Sequence, residues 1–253
     1  MIRLVIEVAG ILSLYAVLWF GVSVVARRND LADVAWGMGY ALICLYCYLA
    51  YPSHPVAILC YTLILIWAVR LSAYIYIRNR KKAEDFRYQK WRQEWGKYFY
   101  IRSFFQVYLL QAFFVLIIIS PVMLASSESS SSLTGWTLLG CAFWITGFIW
   151  QAVGDYQLAM FKRRKRNPDE ILNTGLWNYS RHPNYFGELL MWWAIYLIIL
   201  PLPNSYYFVI GPITITLLIR YVSGVPMLEE RFQHNAQYQL YKKKVPPLFP
   251  KFW

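Results

Sequence analysis

The chain has 253 residues, of which 58% are hydrophobic, 19% aromatic and only 15% charged. A soluble domain carries roughly 25% charged residues, so the composition excludes an ordinary soluble enzyme, and the abundant apolar surface excludes disorder. The net charge of +12 comes from 25 Lys and Arg against 13 Asp and Glu; in so apolar a chain it reads as the charge of cytoplasmic loops and not as a nucleic-acid surface.

Apolar runs follow one another at about 2–25, 34–51, 56–77, 104–125, 134–156, 186–201 and 205–223, each read as a membrane-spanning helix. The first run is too long for a signal peptide and lacks a small-residue cleavage site, so it counts as a span. Pro52 and Pro55 separate the second and third runs, and Pro201, Pro203 and Asn204 turn the sixth into the seventh. Charge placement sets the orientation. The segment 26–33, the loop 78–102, the loop 157–185 and the tail 224–253 hold 22 of the 25 basic residues, whereas 52–55, 126–133 and 202–204 hold none. The expected fold is therefore all-α: one polytopic membrane domain over 1–253, seven transmembrane helices, the N-terminus outside and the C-terminus cytoplasmic. The mixture of Trp, Tyr and basic residues in 78–102 suits an amphipathic segment at the cytoplasmic interface. The serine run 126–132 reads as a flexible external loop. Cys44, Cys47, Cys60 and Cys141 lie in apolar runs and read as inert thiols, with no metal site.

Charges inside spans are costly and mark polar interiors. Asp33, Arg70, Asp155, Glu188 and Arg220 all fall in the cytoplasmic halves of their spans, which implies a polar cavity open to the cytoplasm. The plainer alternative is a set of structural pairs, Asp33–Arg70 and Glu188–Arg220. The richest polar string is Asn178-Tyr179-Ser180-Arg181-His182-Pro183-Asn184-Tyr185-Phe186-Gly187-Glu188. Pro183 can open a helix, which puts Asn184 and Glu188 on one face, four residues apart. A helix start also offers free N–H groups to a phosphate or carboxyl group. Asp155 precedes Lys162 by two helical turns, a spacing that suits ribose hydroxyls and a phosphate.

The string Arg181 to Glu188, followed by an apolar hairpin, resembles the C-terminal half of steroid 5-alpha-reductases and related sterol reductases. The ending Tyr238-Gln-Leu-Tyr241-Lys-Lys-Lys-Val245-Pro246 is similar to the tails of sterol C14 reductases and isoprenylcysteine carboxyl methyltransferases. Asp33-Val-Ala-Trp36-Gly37, Arg70-Leu71, Glu84-Asp85-Phe-Arg87-Tyr88 and Ser103-Phe-Phe-Gln106 resemble the bacterial DUF-type branch of steroid-5-alpha-reductase-like membrane proteins. That resemblance runs over nearly the whole chain.

It implies NADPH bound in a cavity within a helix bundle, with Asp155, Tyr156 and Lys162 on the nucleotide, and Tyr179, Arg181, Asn184, Tyr185 and Glu188 forming the cofactor motif. On the substrate side Asp33 stands near the family's carbonyl-binding Gln-Glu pair. Trp67 takes the place of its partner tyrosine, and an indole donates a hydrogen bond but supplies no phenolic proton. The expected activity is an NADPH-dependent reduction of a lipophilic, enone-type C=C bond, steroid-like or isoprenoid, with Asp33 and Trp67 as catalytic residues. The alternative is S-adenosylmethionine-dependent methylation of a lipid or isoprenylcysteine-type substrate. The expected partners are the bilayer and a lipophilic small molecule, with no nucleic acid and no metal. A monomer in a bacterial inner membrane is expected, or in the endoplasmic reticulum if the source is eukaryotic.

Overall fold

The computed structural model describes residues 1–252 apart from Ser53, Ser129, Ser130, Arg166 and Pro168, and excludes the side chain of Arg231. Part of the serine run and two of the expected loop charges thus lie outside the described residues. The chain is 80% helical without strands among the described residues. That is the outcome expected where lipid offers the backbone no hydrogen-bond partners. Six helical stretches are long and apolar enough to cross a bilayer: Ile2–Ala26, Leu31–Ala50, Pro55–Asn79, Phe86–Ile118, Gly135–Arg164 and Ser205–Glu229. The expected sixth span is the helix Pro183–Ile199, whose 17 residues extend only about 25 Å at 1.5 Å per residue. Six candidate spans therefore stand where seven were expected.

Two compact units divide the chain, Met1–Leu133 with Leu202–Phe208, and Thr134–Pro201 with Val209–Trp253. The first contains α1 (Ile2–Ala26), α2 (Leu31–Ala50), α3 (Pro55–Asn79), α4 (Phe86–Trp95) and α5 (Phe99–Ser103). A π-helical stretch, Phe104–Leu109, leads into α6 (Leu110–Ile118). The expected run 104–125 is broken ahead of Pro121, which has no N–H to continue the ladder, and the chain resumes as α7 (Ser120–Ser127).

Arg27 ends α1 in the left-handed conformation (φ 53°), and the following turn is knotted to the start of α4 by charge. Arg28 forks onto Asp30 at 3.0 and 2.8 Å. Glu84 accepts from the Asn29 amide at 2.6 Å and from Arg92 at 3.0 Å. Asp85 caps α4 by accepting from the Arg87 amide. Above this knot α2 and α3 approach closely at Gly37, where an added Cβ would lie 3.0 Å from the Ala68 carbonyl.

The second unit is built on α8 (Gly135–Arg164) and α9 (Pro183–Ile199). α8 opens with a capping box between Thr134 and Thr137 and runs past the expected boundary at 156 to a last turn of Lys162, Arg163 and Arg164. Cations there complement the negative end of the helix dipole. The rest comprises α10 (Ile210–Leu217), a π-helical stretch over Leu218–Val222, α11 (Val225–Glu229) and α12 (Ala236–Lys244). Tyr238, Tyr241 and Val245 bury one face of α12, packed with Ile171 and Phe232.

Candidate functional site

Glycines set the spacing of α8 against α9. Gly140, Gly147 and Gly154 recur every seventh residue of α8, and each faces α9. An added Cβ at Gly147 would lie 2.6 Å from the Gly187 carbonyl, one at Gly140 2.9 Å from the Ala194 carbonyl, and one at Gly154 3.0 Å from the Asn184 amide. Pairing 140 with 194, 147 with 187 and 154 with 184 makes the helices antiparallel. Hydrophobic burial does not drive helices together in lipid, so close backbone approach has to supply the packing.

Two polar rungs bridge this close seam. Gln151 donates through Nε2 to Glu188 Oε2 at 2.9 Å, and Asn184 donates through Nδ2 to Asp155 Oδ1 at 3.1 Å. The rungs are four residues apart on both helices, so they lie about 6 Å apart along the pair. Asp155 and Glu188 are 5% and 7% exposed. With its amide nitrogen on Asp155, Asn184 presents a buried carbonyl oxygen, Oδ1, that no donor among the described residues meets. A buried acceptor left unmet costs about 1–3 kcal/mol, which makes this a docking point for an N–H or O–H donor.

Asp155, Asn184 and Glu188 are thus brought together as the sequence implied. The other expected residues have surroundings of their own. Tyr156 is 65% exposed, and Lys162 is exposed on the last turn of α8. Tyr185 stacks on His182 with ring centroids 5.5 Å apart, and Tyr179 packs on Phe252 at 5.4 Å. Arg181 has another task. Its Nε donates to Glu229 at 2.8 Å, and its Nη1 donates to the carbonyls of Val245 at 2.5 Å and Lys242 at 3.2 Å.

In the first unit, Asp33 accepts from Tyr88 Oη at 2.7 Å and from the Arg87 guanidinium. Arg87 is therefore a cationic partner of Asp33. Trp67 is buried and meets Tyr40 edge-on at 5.2 Å, with Trp36 on the far side of Tyr40 at 5.4 Å. Gln151 and Tyr88 were not among the site residues to which the sequence pointed. Gln151 had a signal, as a polar residue within an apolar run four positions before Asp155. Glu229 lies in a Glu-Glu pair that suits the methyltransferase alternative, but it showed no spacing to Arg181 and His182, which lie about fifty residues before it.

His182 Nε2 lies 3.3 Å from Glu229 Oε1, and Lys242 Nζ lies 3.0 Å from Glu229 Oε2. Burial pushes the His182 pKa below its usual value, the Glu229 carboxylate works against that shift, and Arg181 and Arg220 add to it. The folded state thus favours neutral His182. Its contribution to stability is complete above the unfolded value of about 6.5 and is lost as pH falls below it. The melting temperature should drop on acidification from pH 7 to 5 more steeply for the wild type than for His182→Gln. Parallel pH profiles would show that His182 does not titrate on unfolding.

Among the described residues, no group of three His, Cys, Asp or Glu side chains is placed to hold a metal ion. These features define an all-helical, multi-pass membrane protein with a buried polar seam in its second unit. The chain belongs to the family described as a protein of unknown function, DUF1295, whose model matches residues 19–245, within the steroid 5-alpha-reductase-like superfamily. It is 27% identical over 209 residues to an uncharacterized protein of Schizosaccharomyces pombe, covering 72% of this chain and 60% of that protein. It is 26% identical over 121 residues to the protein-S-isoprenylcysteine O-methyltransferase of Saccharomyces cerevisiae, covering 43% of this chain and 46% of that enzyme. The chain therefore matches less than two thirds of the length of either relative. No solved structure matches it.

Proposed function

We propose that the α8–α9 seam holds the nucleoside portion of NADPH and that the protein reduces an activated C=C bond of a lipophilic enone. The observation that carries this reading is the Asn184 carbonyl oxygen, buried beside the Asp155 carboxylate and met by no donor among the described residues. Ribose hydroxyls and amide or amine N–H groups are the donors such a set accepts. Lys162, Arg163 and Arg164 on the last turn of α8 supply positive charge for phosphates, which tilts the reading towards a phosphorylated dinucleotide. When bound, NADPH supplies the hydride. The chain's own part is to orient the nucleoside between Asp155, Asn184 and Glu188 and to exclude water by close packing at Gly147 and Gly187.

On the acceptor side the reading keeps Asp33 as the residue that positions Arg87 and Tyr88, whose N–H and O–H groups are the donors a substrate carbonyl needs. The phenol that Trp67 lacks is supplied there by Tyr88, which already donates to Asp33. The basic loops are proposed to face the cytoplasm, where the cofactor is drawn from.

A second reading, S-adenosylmethionine-dependent methylation of a lipid or isoprenylcysteine-type substrate, draws on the match to the yeast methyltransferase. That cofactor also brings ribose hydroxyls but no phosphate. Thermal shift of the detergent-purified protein with NADPH, NADH and S-adenosylmethionine separates the two. NADPH should raise the melting temperature selectively, and Glu188→Gln should reduce that rise. Stabilisation by S-adenosylmethionine alone would favour the methyltransferase.

A further inference from the structure

The C-terminal arm is fastened residue by residue to the segment that leads into α9. The Arg181 amide donates to the Pro246 carbonyl at 2.9 Å, and the Lys251 amide donates to the Tyr179 carbonyl at 3.0 Å. Ser180 Oγ donates to the Pro247 carbonyl at 3.4 Å, and Tyr241 Oη donates to the Trp177 carbonyl. Phe249 and Phe252 pack against Phe186 and Tyr179. From its other side the same segment is fixed to α8, with Trp177 Nε1 donating to the Gly154 carbonyl at 3.2 Å and the Leu176 amide donating to Gln157 at 3.0 Å.

One carboxylate closes this clamp. Glu229 is 9% exposed and receives Arg181, His182 and Lys242 together. Arg181 and His182 are the last two residues before Pro183, and His182 stands at the N-cap of α9 without giving the helix a side-chain cap. The two residues before α9 are thus held by a carboxylate carried in from α11.

The geometry points to Glu229 as a positioning residue for the cofactor seam, holding Arg181 and His182 so that Asn184 and Glu188 keep their register opposite Asp155 and Gln151. The claim rests on the cofactor reading of the seam. Glu229 itself touches neither rung; it acts through the two residues that it binds. Residues 225–252 are on this account part of the site's construction, although none of them belongs to the polar string on α9.

The test uses the full-length, detergent-purified protein and its Glu229→Gln and Glu229→Asp variants, below the melting temperature of each. Amide hydrogen exchange over 183–188 is measured first, because it needs no ligand. Glu229→Gln should speed exchange there about tenfold while 135–146 is unchanged. It should weaken NADPH about tenfold or more, since small misplacements of positioned groups carry large penalties. Glu229→Asp, which keeps the charge, should recover most of the affinity. A merely structural Glu229 would lower the melting temperature and leave the affinity of the folded fraction intact. Should Glu229→Gln not fold, Lys242→Met removes the half-exposed partner of the same carboxylate, and the same two changes are expected at about threefold. Unchanged exchange over 183–188 overturns the positioning role whatever the ligand, and so does faster exchange with undiminished NADPH affinity. If the wild type binds no NADPH, the cofactor reading fails and the exchange measurement alone decides the role of Glu229.

Discussion

Gly187→Val is expected to destabilise the second unit by more than about 3 kcal/mol and to leave little folded protein in detergent. A Cβ at this position would sit against the Gly147 carbonyl and 2.6 Å from the Gln151 amide nitrogen. Both obstacles are backbone atoms, so no rotamer change relieves the clash, and the helices have to part. Parting stretches the Gln151–Glu188 and Asn184–Asp155 rungs, each of which serves a buried carboxylate. Gly147→Val should behave alike from the other side of the seam. Gly10 and Gly21 on α1 are the controls, because an added Cβ at either meets nothing within 4 Å. Gly→Ala there should be neutral or stabilising by about 0.5–1 kcal/mol. Melting temperatures followed by tryptophan fluorescence read all four variants. A Gly187→Val protein that melts with the wild type would show that the seam is not close-packed.

Arg181→Met should cost about 3–5 kcal/mol, the usual penalty for removing one partner of a buried ion pair. Methionine keeps much of the volume, so the loss is not chiefly that of a cavity. It leaves Glu229 buried with a neutral imidazole and a half-exposed ammonium, and it strips the donor from the Lys242 and Val245 carbonyls. Arg181→Lys should recover little, because a point charge on a flexible stem cannot reproduce the fork that serves Glu229 and both carbonyls at once. Release of the arm is the specific sign, seen as faster trypsin cleavage at Lys242, Lys243 and Lys244 before global melting. Wild-type cleavage rates in Arg181→Met would mean that the arm is held by other contacts.

Much of the helical architecture was legible in the sequence because a lipid solvent makes apolar length a strong signal. The boundaries that moved have local causes. The run 104–125 breaks at Pro121, and α8 continues past 156 because Lys162, Arg163 and Arg164 are good last-turn residues and need not lie in the bilayer. α9 begins at Pro183 as the sequence implied, but its 17 residues fall short of the span length.

Asp155, Asn184 and Glu188 were readable because helical period and polarity coincide there. The seven-residue glycine repeat of α8 was equally readable as a packing face and points at the same seam. Glu229 and Tyr88 were not readable as partners. An ion pair that joins segments about fifty residues apart leaves no spacing in the chain, and only folding reveals that Arg87 meets Asp33.

The central claim is that the α8–α9 seam binds a nucleotide cofactor. The most direct measurement is a hydrogen-exchange footprint of NADPH on the wild-type protein in detergent. Protection confined to 151–157 and 183–188, diminished with Glu188→Gln, is the predicted result. Protection elsewhere in the chain, or none at saturating NADPH, would contradict it.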